Sequence, residues 1–112
     1  MIETQASIFA WREEAFGPVQ STMRLVTRLN EEVAELLTAV AVTKDEYHPK
    51  TAEEVADVAI ILYTIATRLG VDLHAEIDRK MAVNRHKRVW KKDGSGHGYH
   101  VREGEEGQGG NV

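Results

Sequence analysis

The chain of 112 residues contains no cysteine. Disulfide bonds and thiolate metal sites are therefore excluded, and the composition fits a reducing compartment. Long apolar runs are also missing, because the longest uncharged apolar stretch, residues 58–66, is far shorter than the roughly 20 residues that a membrane-spanning helix needs. No charged and then apolar leader with a small-residue cleavage site opens the sequence, so we expect no secretion signal. We predict a cytoplasmic protein with no membrane partner.

The chain also lacks an excess of positive charge. Its formal net charge is -4 at pH 7, which argues against a general nucleic-acid binder, because such a protein must neutralise many phosphates. Half of the 14 Lys and Arg residues nevertheless fall within residues 79–92, where no acidic residue occurs. They are Arg79, Lys80, Arg85, Lys87, Arg88, Lys91 and Lys92. We predict no nucleic-acid partner, and this basic run needs either an anion or full hydration.

The spacing of the apolar residues predicts an all-α fold of four helices with no convincing strand. The helices are expected at about residues 3–15, 18–42, 51–69 and 72–90. Gly17-Pro18 breaks the first helix, and Pro18 can occupy the first turn of the second. Thr51 and Glu54 have the spacing of a capping box that opens the third helix. Gly70 is its expected stop.

The predicted second helix carries an apolar stripe that we expect to be buried. Its members recur at three- and four-residue steps: Leu25, Leu29, Val33, Leu36, Leu37 and Val40. The third helix is apolar nearly all round after Asp57, so it must be covered on most sides. A chain of this length has a limited core of its own. We therefore expect the bundle to be completed by oligomerisation.

Glycine is concentrated at the C-terminal end. Seven of the nine glycines lie after residue 93, at Gly94, Gly96, Gly98, Gly104, Gly107, Gly109 and Gly110. We predict a helical domain at residues 1–92 and a flexible Gly-rich tail at residues 93–112.

Two acidic clusters occupy the second and third helices, at residues 31–35 and 53–57. Residues three apart lie on nearly the same side of a helix, so Glu32 pairs with Glu35, and Glu54 pairs with Asp57. Two negative charges about 4 Å apart repel by roughly 4 kcal/mol at an effective dielectric near 20, and a divalent cation would offset this cost. Oxygen ligands favour Mg²⁺ or Mn²⁺, often shared with phosphates. Alternatively, the first cluster is a solvated helix face.

The order Glu31-Glu32-x-x-Glu35, eighteen residues, then Glu54-x-x-Asp57 resembles the signature of the MazG-like, all-α nucleotide pyrophosphohydrolase superfamily, which is related to the dimeric dUTPases. Lys80-x-x-x-Asn84-x-x-Lys87 is similar to a downstream basic motif that contacts substrate phosphates in several branches. The resemblance implies a four-helix bundle that forms a homodimer or homotetramer. It also implies Mg²⁺-dependent cleavage of nucleoside triphosphates to monophosphates and pyrophosphate, with Mn²⁺ as a possible substitute.

The resemblance assigns roles to individual residues. It makes Glu32, Glu35, Glu54 and Asp57 the metal ligands and catalytic acids. It adds Glu31 as a further acid that either orients or deprotonates water or faces solvent. Lys80, Asn84, Lys87 and Arg88 are the candidates for binding substrate phosphates, and an exposed basic face is the alternative.

The leading hypothesis is therefore a nucleoside triphosphate pyrophosphohydrolase that maintains the nucleotide pool. The alternatives are a non-catalytic regulator that binds nucleotide or metal, and a helical interaction module. Trp11, Phe16 and Trp90 could stack on a nucleobase, although core positions are favoured. Residues 97–100 fit no zinc spacing, and they form either a loop over the substrate phosphates or a disordered stretch.

Overall fold

The computed structural model describes residues 2–45, 47–86, 89–92 and 98–101. Its elements are α1 (Gln5–Phe16), α2 (Thr22–Thr43), α3 (Pro49–Arg68), α4 (Leu73–His86), β1 (Val89–Lys92) and β2 (Gly98–Val101). The predicted all-α fold of four helices is confirmed. The chain divides into two compact units, Met1–Leu73 and His74–Val112, whereas the boundary between residues 92 and 93 stays a prediction. Within the described residues, no helix combines the length and apolarity that crossing a membrane requires.

Local capping explains where α1 ends and α2 begins. The backbone N–H of Gly17 donates to the Glu13 carbonyl at 2.8 Å, and Gly17 adopts a φ of 80°, which stops α1 as predicted. Pro18 does not lie in the first turn of α2, contrary to expectation. Instead α2 begins at Thr22, because the Ser21 hydroxyl accepts a hydrogen bond from the backbone N–H of Arg24 at 3.1 Å.

The predicted capping box of the third helix is wrong. Helix α3 begins two residues earlier, at Pro49, where a missing backbone N–H costs nothing. The Nδ1 atom of His48 accepts the backbone N–H of Lys50 at 3.0 Å and serves as the cap. Glu54 is therefore not needed at the helix terminus, because it lies five residues after the start of α3.

Strand β1 begins at Val89, where the fourth helix was predicted to continue. Helix α4 ends at His86 rather than near Trp90, and β1 pairs antiparallel with β2, with Val89 opposite Val101. The prediction that the chain contains no strand is therefore wrong. The β-branched and aromatic residues in these two segments favour extended backbone. The remainder of the predicted tail lies outside the described residues.

The interior of the first unit is small and unusually polar. Helix α3 packs against α1 and α2. The buried apolar residues among those described are Leu25, Ala39 and Ala66, and the buried polar ones are Glu32, Glu54 and Thr64. Burying a charged group is costly unless it is paired. Two carboxylates at the centre of a small core therefore require partners.

One apolar face of α2 is uncovered in this chain. Leu25 is buried and Leu29 and Leu36 are half-buried, but Val33, Leu37 and Val40 are 45%, 70% and 44% exposed, so their predicted burial is wrong here. The exposed members lie on one side of the helix and are Met23, Val26, Val33, Leu37 and Val40. We call them the α2 apolar face. The apolar surface of α2 is wider than α3 can cover.

Candidate metal centre

Three carboxylates converge between α2 and α3. Glu32 comes from α2, and Glu54 and Asp57 come from α3, and one oxygen of each lies within 4.8 Å of the others. Glu32 and Glu54 are each only 4% exposed, whereas Asp57 is exposed. The three-residue step on α3 places Glu54 and Asp57 on one side of that helix. The group is therefore closed on its inner side and open on its outer side.

The surroundings of Glu32 favour its neutral form. Burial raises the pKa of Glu32, and the neighbouring carboxyls of Glu35 and Asp57 raise it further, whereas Arg28 opposes the shift. An additional cation at this position would relieve the same repulsion. Binding of either a proton or a metal ion would thus reduce the repulsion among these carboxyls.

Two basic side chains on the same helices form ion pairs with the buried carboxylates. Arg28 Nη2 lies 2.6 Å from Glu32 Oε1, and Lys50 Nζ lies 2.9 Å from Glu54 Oε1. Arg28 Nη1 also lies 2.9 Å from the exposed carboxylate of Glu31. The side chains of Arg28 and Lys50 remain about half exposed. Their hydrogen bonds to the acids raise the pKa of Arg28 and of Lys50, so both stay positively charged.

Each buried carboxylate uses only one of its two oxygens. Glu32 Oε2 and Glu54 Oε2 are buried and have no hydrogen-bond partner among the described residues. Leaving a buried carboxylate oxygen unpaired is costly. Hard divalent cations such as Mg²⁺ and Mn²⁺ accept carboxylate oxygens as ligands. The residues present therefore fit such an ion, held by Glu32, Glu54 and Asp57.

The remaining predicted acids lie around this group. Glu35 is exposed and is not one of the three converging carboxylates, although its proximity raises the pKa of Glu32. Glu31 is exposed and ion-paired with Arg28. The structure thus brings three of the predicted ligands together, with Glu35 beside Glu32.

The predicted phosphate contacts belong to the second unit, at and beyond α4. Lys80 is exposed, and Asn84 lies one helical turn further along, where its Nδ2 donates to the Met81 sulfur at 3.9 Å. Lys87 and Arg88 lie outside the described residues, as do residues 93–97 and the side chain of Trp90. Their proposed roles stay predictions.

A cavity of about 540 Å³ opens beside the carboxylates. The aromatic and charged residues that line it are Trp11, Phe16, Arg12, Arg28, Glu32 and Asp57. We call it the aromatic cavity. The two rings meet edge to face with centroids 5.6 Å apart, and they are 54% and 69% exposed, so their predicted core position is wrong in this chain.

A second cavity, of about 610 Å³, adjoins Glu54 of the group. Glu35, Lys50 and Glu54 line it together with small and apolar residues of α2. We call it the acidic cavity. The sequence analysis missed Arg28, Lys50 and Arg12. The first two could have been found from the sequence, since each stands four residues before a buried acid on one helix face.

The titration of Glu32 leads to a stability prediction. Glu32→Gln should raise the free energy of unfolding of the metal-free protein at pH 7, because the folded-state pKa of Glu32 lies above its ordinary value of 4.5. Stability associated with the protonated carboxyl is complete below 4.5 and is lost as the pH rises through the folded-state pKa. Urea denaturation in chelator at pH 7 and at about pH 4 measures the difference.

The gain from Glu32→Gln should disappear at the lower pH. Glu14→Gln, at an exposed position of α1, removes the same charge outside the site and serves as the control. An equal gain at both pH values would contradict the assigned titration.

Known proteins resemble this chain over most of its length. A family model described as the MazG-like family matches residues 24–100. A dATP/dGTP diphosphohydrolase of Cyanophage S-2L is 35% identical over 99 residues, covering 88% of this chain and 86% of that protein. A dATP/dGTP diphosphohydrolase of Salmonella phage PMBT28 is 33% identical over 102 residues, covering 91% of this chain. The match covers only 32% of that longer protein.

A solved structure shares the fold. It is the Cyanophage S-2L MazG-like pyrophosphohydrolase bound to dGDP and three catalytic Mn²⁺ ions per active site. The TM-score is 0.68 at 35% identity, with 88% of this chain and 89% of that chain covered.

Fold and site together define an all-α protein with a carboxylate site suited to divalent cations. The chain belongs to the MazG-like family. The predicted family and the predicted enzyme class, a nucleotide pyrophosphohydrolase, are confirmed.

Proposed function

We propose that this chain hydrolyses purine deoxynucleoside triphosphates to the monophosphate and pyrophosphate, with Mg²⁺ or Mn²⁺, as part of nucleotide-pool maintenance. The observation that carries the proposal is the group of Glu32, Glu54 and Asp57, with two buried carboxylate oxygens lacking partners. The dATP/dGTP activity in the names of two relatives supports the choice of purines. The dGDP and Mn²⁺ of the Cyanophage S-2L structure support the nucleotide and the metal.

The chemistry follows from the placement of charge. A divalent cation neutralises phosphate oxygens and lowers the pKa of a bound water when it is present. Glu32, Glu54 and Asp57 would hold the cation, with Glu35 beside them. Water attacks the α-phosphorus, the bond from that phosphorus to the bridging oxygen breaks, and pyrophosphate leaves with the electron pair. The chain forms no covalent bond to the substrate in this proposal.

The aromatic cavity has room for the nucleoside and the acidic cavity for further phosphates. Both adjoin the carboxylates, since Glu32 and Asp57 line the first and Glu54 lines the second. We include Glu31 among the catalytic acids, but we expect it to contribute less to the rate, because it is exposed and paired with Arg28.

The basic residues of α4 and beyond are proposed to bind the leaving phosphates. Lys80→Ala should raise KM for the triphosphate about tenfold, equivalent to about 1.4 kcal/mol of binding free energy, because a cation that meets the phosphates is removed. Asn84, Lys87 and Arg88 belong to the same proposal. Steady-state kinetics measure the effect, and Lys44→Ala, at the exposed end of α2, is the matched control. An unaltered KM would move the phosphate contacts elsewhere.

A panel of nucleotides tests the proposed reaction. The purified chain is incubated with each of the common ribo- and deoxynucleoside triphosphates and Mg²⁺ or Mn²⁺, and the products are separated. We expect monophosphate and pyrophosphate in equal amounts, fastest from dATP and dGTP. Release of inorganic phosphate and a diphosphate would contradict cleavage at the α-phosphorus, and nucleotide binding without turnover would favour a non-catalytic regulator.

We further propose that the chain forms a homodimer or homotetramer through the α2 apolar face. The five exposed side chains of this face leave an extended apolar strip in the isolated chain. Leu37→Lys should lower the molar mass measured by light scattering to that of the monomer. Glu14→Lys, at an exposed position of α1, is the control and should leave the mass unchanged. A wild-type protein that is already monomeric would overturn this proposal.

A further inference from the structure

The two buried carboxylates of the metal centre share an unusual arrangement. Each is paired with a cation four residues earlier on its own helix, Arg28 for Glu32 and Lys50 for Glu54. In both pairs one carboxylate oxygen meets the cation, and the other is buried without a hydrogen-bond partner among the described residues. The same arrangement, a cation four residues before a buried acid with one unpaired oxygen, thus occurs once on α2 and once on α3.

Helix stability does not account for these cations. An acid placed four residues before a base is the more favourable order along a helix, and both pairs have the reverse order. Lys50 also lies in the first turn of α3, where a positive charge opposes the helix dipole. Ion pairs with half-exposed cations contribute little on their own. The benefit therefore lies with the buried acids, whose charge is neutralised.

A divalent cation would compete with these side chains for the carboxylates. Glu32 and Glu54 must turn their oxygens toward the metal, and a guanidinium or ammonium at hydrogen-bond distance from the same carboxylate would then face the metal's positive charge. Like charges at such distances repel strongly in a site with little solvent. Both side chains are about half exposed, so either could move outward into solvent.

The cavities determine what the displaced cations would meet. Arg28 lines the aromatic cavity beside Glu32 and Asp57, and Lys50 lines the acidic cavity beside Glu35 and Glu54. The two cations therefore line different cavities, and each cavity adjoins the carboxylates. A substrate that places phosphates against a metal in this group would bring negative charge close to both cations. Guanidinium and ammonium groups are good phosphate partners.

We propose that Arg28 and Lys50 are exchangeable counter-cations, which pair with Glu32 and Glu54 in the metal-free protein and pass to the substrate phosphates once a divalent cation has replaced them. This inference rests on the proposed function for the identity of the phosphate ligand. Each cation thus has two negatively charged partners in turn: a carboxylate of the chain before the metal binds, and a phosphate of the substrate afterwards. Removing either cation should therefore change metal affinity and phosphate affinity in opposite directions.

The test measures both affinities without turnover. Arg28→Gln and Lys50→Gln are prepared in the full chain, and circular dichroism verifies that each is folded. Free Mn²⁺ is titrated by electron paramagnetic resonance at pH 8 in the absence of nucleotide. Binding of inorganic tripolyphosphate is then measured by calorimetry with Mn²⁺ in excess over both protein and phosphate.

We expect the Kd for Mn²⁺ to fall about tenfold in each variant, equivalent to about 1.4 kcal/mol, because the internal competitor is gone. The Kd for tripolyphosphate should rise about tenfold. Arg28→Lys keeps the charge and should stay close to wild type in both measurements.

Two controls separate exchange from a general change in charge. Arg24→Gln, one turn before Arg28, and Lys44→Gln, at the end of α2, remove exposed cations that are not paired with the carboxylate group. Both should change either Kd by less than about twofold. A similar tightening of Mn²⁺ binding in the controls would overturn the proposal.

A Kd for Mn²⁺ that is unchanged or higher in Arg28→Gln and Lys50→Gln would show that the cations support the metal site rather than compete for it. An unchanged tripolyphosphate Kd would equally overturn the exchange. Failure of the proposed function is seen separately, as a wild-type chain that releases no pyrophosphate from any nucleotide.

Discussion

Asp57→Asn is expected to lower the rate of pyrophosphate release by about a thousandfold, which corresponds to about 4 kcal/mol of lost transition-state stabilisation. Asp57 is the exposed member of the carboxylate group and lines the aromatic cavity, so its charge stands between the buried acids and an entering nucleotide. Asparagine keeps the size of the side chain but provides a neutral oxygen in place of a charged one. Release of pyrophosphate from dGTP at saturating Mg²⁺ measures the loss.

The control for Asp57→Asn lies on the same helix. Glu53→Gln removes an exposed carboxylate that is not one of the three converging acids, and it should keep turnover within about threefold of wild type. The far-ultraviolet circular dichroism of both variants should match wild type, since neither change touches a buried apolar contact. Turnover of Asp57→Asn near the wild-type rate would remove this residue from catalysis. Glu35→Gln is also expected to cause a severe loss, because Glu35, unlike Glu53, lies beside Glu32 and lines the acidic cavity with Glu54.

The second large expected effect is stabilisation by metal alone. Mn²⁺ at about one hundred times its Kd should raise the free energy of unfolding by about 2.7 kcal/mol, which for a chain of this size corresponds to a rise in Tm of about 10 °C. In our proposal the ion would bind the folded arrangement of Glu32, Glu54 and Asp57, and the unfolded chain would offer no comparable site. Differential scanning fluorimetry with and without chelator measures the shift.

Glu54→Gln should abolish most of this shift. It removes the charge of one buried ligand and leaves a side chain of the same size. Glu13→Gln, on the exposed surface of α1, removes an equal charge elsewhere and should retain the full shift. A wild-type protein whose Tm does not respond to Mn²⁺ or Mg²⁺ would support the interpretation of the chain as a helical interaction module.

The helices were predictable because their signals are local. The recurrence of apolar residues places α2 and α3 within a few residues of their observed bounds, and the Gly17 stop depends only on the backbone freedom of glycine. The start of α3 was placed incorrectly because two caps competed. The residues from Thr51 to Glu54 have the spacing of a capping box, but the helix begins earlier, where His48 caps it and Pro49 opens it.

The candidate site was predictable in part for the same reason. A three-residue step puts Glu54 beside Asp57 on any helix. Which face of α2 meets α3 depends on packing, so both Glu32 and Glu35 were predicted as ligands, whereas the structure buries Glu32 and leaves Glu35 exposed. The aromatic cavity could not be predicted, since Trp11 approaches the acids only through the packing of α1 on α3.

The central claim is that Glu32, Glu54 and Asp57 hold divalent cations in the folded chain. Diffraction at the manganese absorption edge, from crystals grown with Mn²⁺ and without nucleotide, tests it most directly. We predict an anomalous peak at coordinating distance from all three carboxylates, with the side chain of Arg28 withdrawn from Glu32. Manganese peaks only at other surface acids, with Arg28 still on Glu32, would contradict the account.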